Sequence, residues 1–139
     1  MTDIVKILLV EDNDADADLT MDKLATSKIP NEVRLVRNGV DATTFLRTER
    51  FRPEMVLLDL NLPGKNGREV LAEMKADASL RRIPVVILTS SQTERDIRAS
   101  YELQASAYIT KPVNLAGFGL IVEAIESFWL TVVKFPHAG

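Results

Sequence analysis

Two spacings of apolar residues alternate along the chain. Five short segments, at residues 5–10, 32–36, 55–58, 85–88 and 107–109, read as strands. The first, third and fourth are nearly unbroken runs of Val, Ile and Leu, the pattern of a parallel strand covered on both faces. The second is different: Val33 and Leu35 are apolar while Glu32 and Arg34 are polar, which predicts an edge strand with one covered face. Between the strands the spacing lengthens to that of a helix. Ala17, Met21, Leu24 and Ala25 share a face of the first helix, with Asp14 placed to cap it. Asn38 is placed to start the second. Asn66, with Glu69 three residues on, makes a capping arrangement ahead of Val70, Leu71 and Met74. Ser91 is placed to start the fourth. A fifth helix begins near Asn114, and its stripe Phe118, Ile121, Val122, Ile125, Phe128, Trp129, Val132 and Val133 keeps helical spacing.

Strand and helix therefore alternate five times. Such alternation predicts an α/β fold, a doubly wound five-stranded parallel sheet with helices on both faces. Right-handed crossovers leave few ways to wind it. The flavodoxin-like order 2-1-3-4-5 puts the half-polar second strand at an edge. The pattern holds no repeat and no linker, and the 139 residues suit one domain spanning 1–139. Its core is expected at roughly 5–127, with an extended C-terminal helix forming an extension over roughly 128–139.

Composition narrows the classes. Hydrophobic residues make up 46% and charged residues 27%, enough for a buried core. A net charge of −3 gives no overall reason to bind nucleic acid or an anionic membrane. The absence of cysteine rules out disulfides and thiolate chemistry. The first residues lack a signal-peptide layout, and the longest apolar runs are shorter than a membrane span. A soluble cytoplasmic protein is the expectation.

In an open parallel sheet, ligands sit beyond the carboxyl ends of the strands, near the reversal of winding. Glu11 and Asp12 follow the first strand there. Asp59 follows the third, with Asn61 two residues on. Thr89 ends the fourth, and Lys111-Pro112 follows the fifth. Arg37-Asn38-Gly39 after the second reads as an ordinary turn. Taken singly, each residue has a bland reading as a cap, a turn residue or a solvated charge. Together, four separated segments bring Glu11, Asp12, Asp59, Thr89 and Lys111 to one edge. Three carboxylates there repel one another, and one pKa should rise unless a cation intervenes. Mg²⁺ suits such oxygen donors and phosphate oxygens. A nucleophilic carboxylate, a metal and donors for phosphoryl oxygens are what phosphoryl transfer requires.

The runs ILLVEDN (7–13), LLDLNLPGKNG (57–67), VVILTSS (85–91) and YITKP (108–112) resemble the four signatures of bacterial response-regulator receiver domains. The resemblance covers the chain from about Val5 to Ile125. It implies that Asp59 accepts a phosphoryl group from a phosphohistidine on a sensor histidine kinase. It implies that Asp12 holds Mg²⁺ directly, Glu11 largely through water, and Asn61 through its backbone carbonyl. Thr89 and Lys111 would bind the phosphoryl oxygens, and Thr89 with Tyr108 would form the switch pair. The Lys111-Pro112 bond would be cis. The long end of the chain (125–136), with GREVLAEMK (67–75) and ASYELQ (99–104), resembles the single-domain regulators that partner bacterial and cyanobacterial phytochromes.

A chain of this length is expected to carry no separate output domain, and output is expected to fall to a surface. The face made by the fourth helix, fifth strand and fifth helix is the expected one. Phe128, Trp129, Val132, Val133 and Phe135 overrun a normal receiver core; they either fold back onto the same domain or form a homodimer interface, and the dimer is the expected use. Two other functions compete with the switch. A haloacid-dehalogenase-type phosphohydrolase wants a second Asp two residues after the nucleophile, where Asn61 stands. A constitutive scaffold would have no use for the intact acidic pair, Thr89 and Lys111. The chain is therefore expected to accept phosphoryl groups rather than act as a turnover enzyme. Repulsion among the carboxylates further predicts that Asp12→Ala weakens Mg²⁺ binding yet stabilises the metal-free fold.

Overall fold

Runs of branched apolar residues settle into strands because both of their faces can be covered. The structure, a computed structural model, describes residues 4–27, 29–48, 50–90, 97–98, 105, 107–111 and 119. The strands are β1 (Val5–Val10), β2 (Asn31–Val36), β3 (Met55–Leu58), β4 (Val85–Thr89) and β5 (Ala107–Thr110). They form one parallel sheet in the order β2-β1-β3-β4-β5, as the alternation predicts. In β2, Glu32 and Arg34 are exposed while Val33 and Leu35 are half-buried, which suits its edge position.

Each face of the sheet carries its own core. Leu8, Val10, Val56, Leu58, Val85 and Ile87 meet Ala42 and Leu46 of α2 (Gly39–Thr48) and Val70, Leu71 and Met74 of α3 (Gly67–Ala76). Val5, Ile7, Leu9, Met55, Leu57, Val86, Leu88 and Ile109 form the other core, with Ala17 and Leu24 of α1 (Asp14–Ala25). Successive strand residues point to opposite faces, so each strand feeds both cores.

The helix starts refine the sequence reading. Asn38 and Asn66 accept backbone N–H bonds from Asp41 and Glu69 as expected, at 2.7 and 3.0 Å. The first helix is capped by Asn13, whose Oδ1 accepts from the Asp16 amide at 2.9 Å, and Asp14 is already its first helical residue. Ala25 lies exposed at the end of α1, and Thr20 is buried instead. Ala25 lies roughly 100° round the helix from buried Leu24, at the flank of the apolar stripe, and falls outside the contact.

Two glycines shape the segment between β3 and α3. Gly64 has φ of 69°, a left-handed conformation that other residues adopt at a cost. Gly67 is fixed by close approach: a Cβ there would lie 2.2 Å from the Asp59 carbonyl oxygen. The start of α3 is thereby seated on the backbone of Asp59. Ser91, Tyr101, Pro112 and the C-terminal positions Phe128, Trp129, Val132, Val133 and Phe135 lie outside the described residues. Among the described residues, no helix is long and apolar enough to cross a membrane.

Candidate functional site

Backbone hydrogen bonds align the strand ends that carry the polar residues. The Glu11 amide donates to the Val36 carbonyl at 3.0 Å and the Asp59 amide to Val10 at 3.1 Å. The Lys111 amide donates to Thr89 at 2.8 Å. With the pairing of Leu58 and Ile87 between β3 and β4, these bonds fix where β1, β3, β4 and β5 end relative to one another. Glu11, Asp12, Asp59, Thr89 and Lys111 consequently occupy one edge of the sheet, as the order of strands predicts.

Glu11, Asp12 and Asp59 each offer a carboxylate oxygen, and these oxygens lie within 4.8 Å of one another. Glu11 and Asp59 are only 2% and 4% exposed, whereas Asp12 faces solvent. Lys111 reaches into the cluster from the end of β5. Its Nζ lies 2.9 Å from Asp59 Oδ2 and also pairs with Glu11. The remaining Asp59 oxygen, Oδ1, accepts from the Asn61 amide at 2.9 Å. Glu11 Oε2 accepts from the Asn13 amide at 3.2 Å.

Burial pushes the Glu11 carboxyl up from 4.5 to about 7, and the negative charge of Asp59 adds to the rise. Its hydrogen bonds to Lys111 and the Asn13 amide act against the rise without cancelling it. Burial works against the charge on Lys111, but hydrogen bonds to Glu11, Asp59 and Asp16 outweigh it and hold the ammonium above the usual lysine range. The site therefore carries more carboxylate than one lysine neutralises. A hard divalent cation fits such a donor set, because clustered carboxylate oxygens are its preferred ligands.

Thr89 is fully buried, and its Oγ1 accepts a hydrogen bond from Asn61 Nδ2 at 3.2 Å. Tyr108 sits opposite Ile87 in the β4–β5 register and packs against the core shared with α2 and α3. Thr89, two residues after Ile87, projects to that same face.

Two contributors escaped the sequence reading. Asp16, in the first turn of α1, places Oδ2 3.0 Å from Lys111 Nζ. The close succession of β1 and α1 was the available signal, since it keeps the first helical turn beside the strand end. Lys65 ties the segment after Asp59 to its surroundings, donating to Thr43 Oγ1 of α2 at 3.2 Å and pairing with Glu73 of α3. Arg37, read as part of a turn, pairs with Asp14. Both groups are exposed, so that pair adds little stability.

The model of a family described as the response regulator receiver domain matches residues 7–123. The chain is 50% identical over 137 residues to the response regulator Rcp1 of Synechocystis sp. PCC 6803, covering 95% of this chain and 93% of the relative. The crystal structure of Rcp1 in its Mn²⁺-bound form superposes with a TM-score of 0.78 at 49% identity, covering 92% of this chain and 96% of that one. The phosphorylated cyanobacterial phytochrome response regulator RcpA gives 0.80 at 51% identity, covering 93% and 96%.

Proposed function

This chain belongs to the response regulator receiver domain family of two-component signalling, and from that premise we propose that Asp59 is its phosphoacceptor, working with Mg²⁺. The observation that carries the reading is the Asp59 carboxylate. It is buried, 2.9 Å from Lys111 Nζ, and clustered with oxygens of Glu11 and Asp12. A phosphohistidine on a sensor histidine kinase supplies the phosphoryl group. An Asp59 oxygen attacks phosphorus as the bond from phosphorus to the histidine nitrogen breaks, and the nitrogen keeps that bonding pair.

Each residue then has a role in charge. Asp12, Asp59 and the Asn61 carbonyl would hold Mg²⁺ directly and Glu11 largely through water, and the ion would supply charge neutralisation for the phosphoryl oxygens. The Asn61 amide keeps Asp59 Oδ1 engaged, leaving Oδ2, beside the ammonium, as the reactive oxygen. Lys111 neutralises a phosphoryl oxygen, and Thr89 gives its hydroxyl to another after leaving Asn61. The move of Thr89 alters the face it shares with Tyr108. That change biases the output face, which takes in β5 and the fourth and fifth helices expected from the sequence. The protein is a phosphoryl acceptor with slow self-dephosphorylation, not an enzyme that turns over an external substrate.

The likeness to Rcp1 and RcpA supports a phytochrome-type kinase as partner, and a cytoplasmic protein is the setting that fits. The domain extends over 1–139. Phe128, Trp129, Val132, Val133 and Phe135 are the candidates for a homodimer interface. A monomeric mass at micromolar concentration in light scattering would remove the dimer. The test of the central reading is mass spectrometry after incubation with acetyl phosphate and Mg²⁺. A single phosphoryl adduct, lost in Asp59→Asn and in the absence of Mg²⁺, is the expected outcome. A folded protein that takes up no phosphoryl group overturns the assignment.

A further inference from the structure

An ammonium has three N–H groups and no acceptor. Among the described residues, three carboxylates share the one on Lys111: Glu11, Asp16 and Asp59. A phosphoryl oxygen arriving at Asp59 needs one of those N–H groups, so a carboxylate has to withdraw. The three are not equivalent. The Glu11 and Asp59 side chains are 2% and 5% exposed. Each is also held by a backbone amide through its other oxygen, from Asn13 and Asn61 respectively. A buried carboxylate that lost its cation would find no water to replace it, and the cost is high. Asp16 is 38% exposed at the side chain. Water takes over its hydrogen bond directly, so its contact with Lys111 is the least costly to break.

We propose that Asp16 is the carboxylate Lys111 releases to the phosphoryl group, a positioning residue that holds the ammonium beside Asp59 at rest and competes with the phosphoryl oxygens for it. The proposal rests on the reading of Lys111 as the phosphoryl partner. Asp16 acts through Lys111 and touches neither the reacting atoms nor the carboxylate cluster that suits a cation. Its position in the first turn of α1 lets it turn outward without moving the sheet. Its charge opposes the phosphorylated state in two ways: it occupies an N–H of the ammonium, and it repels the incoming anion. Removing that charge while keeping the shape therefore strengthens the phosphoryl state. An ordinary supporting role would give the opposite sign, because loss of support weakens binding.

The experiment is calorimetric titration of beryllofluoride, a phosphoryl mimic, into the full chain at saturating Mg²⁺. Wild type, Asp16→Asn, Asp16→Ala, Lys111→Met and the Asp16→Asn/Lys111→Met double variant are compared. Asp16→Asn and Asp16→Ala should both bind the mimic more tightly, by roughly five- to tenfold at low salt. The gain should shrink as salt rises, because a half-exposed charge is screened. It should also shrink in the double variant to what direct repulsion alone supplies, because no ammonium remains to be contested. Unchanged or weaker binding in both Asp16 variants, with Lys111→Met still impaired, overturns the proposal and leaves the role of Lys111 standing. Wild-type binding by Lys111→Met overturns the role of Lys111 and the proposal with it. Should the Lys111 variant not fold, the sign of the Asp16 effect and its salt dependence decide the matter alone.

Discussion

Lys111→Met keeps most of the apolar volume of the stem and removes the charge. In the metal-free protein, the carboxylates of Glu11, Asp16 and Asp59 then lose the cation they share. Asp16 has water to turn to, while Glu11 and Asp59 are buried. Removing one partner of a buried ion pair costs about 3–5 kcal/mol. That figure is a ceiling, because Glu11 escapes part of the cost by taking up a proton. Burial and the charge of Asp59 already raise it from 4.5 to about 7, with the Lys111 hydrogen bond working the other way. Without Lys111 it rises further.

The sign of the pH dependence follows. A carboxyl whose folded pKa lies above its unfolded value binds its proton more tightly in the fold. Its stabilising effect is complete below 4.5 and is lost as pH rises through about 7. In the wild type this loss amounts to about 3 kcal/mol. In the variant the decline runs to higher pH. Urea denaturation in the presence of a chelator, at about pH 5 and about pH 8, reads it directly. The variant should be less stable than wild type by about 3–5 kcal/mol at the higher pH and by about 1 kcal/mol less than that at the lower. An equal gap at both pH values, or a variant more stable at the higher pH, would refute the shared-cation account.

Three further outcomes test the site. Mg²⁺ should raise the melting temperature more at about pH 8 than at about pH 5, because ligand carboxylates must be deprotonated to bind; a thermal-shift series with a pH-independent gain counts against it. Asp12→Ala should lower Mg²⁺ affinity more than about tenfold in calorimetry. Its metal-free stability should rise, but by less than about 1 kcal/mol, because Asp12 faces solvent and the costly repulsion lies between Glu11 and Asp59. Gly67→Ala should cost about 3 kcal/mol in urea denaturation and slow labelling by acetyl phosphate, since its Cβ would lie 2.2 Å from the Asp59 carbonyl oxygen; a variant as stable as wild type would mean that α3 can lift away freely.

The sheet was legible because burial on two faces leaves a strong mark. Residues 5–10, 55–58 and 85–88 are apolar at nearly every position, and the one alternating strand, β2, is the edge. The strand order then brings Glu11, Asp12, Asp59, Thr89 and Lys111 together without any knowledge of side-chain contacts. The details that escaped depend on one-residue offsets and on side-chain reach. Asn13 and Asp14 are both good caps, and only the point where α1 begins decides between them. Ala25 fits the apolar stripe, but whether a terminal position meets the sheet depends on the tilt of the helix. Asp16 is an ordinary first-turn acid by sequence. It joins the site because Lys111, distant in sequence, extends across the strand ends to meet it.

The same geometry bears on where a change at Asp59 is felt. Lys111 stands at the end of β5, and its amide is bonded to the Thr89 carbonyl. Thr89 accepts from Asn61, the residue whose amide also holds Asp59. Apart from Asp16 of α1, the groups that must exchange partners on phosphorylation thus lie on the β3, β4 and β5 side of the sheet. On the other side, Glu11 is bonded to β2 through its backbone amide, which is not one of the groups that bind phosphoryl oxygens. Hydrogen exchange should therefore change at Thr89, Tyr108 and Lys111 when beryllofluoride binds, and stay within error along β2. Protection that changes equally along β2 would mean the response spreads through the whole sheet, and the outward route through β5 would be wrong.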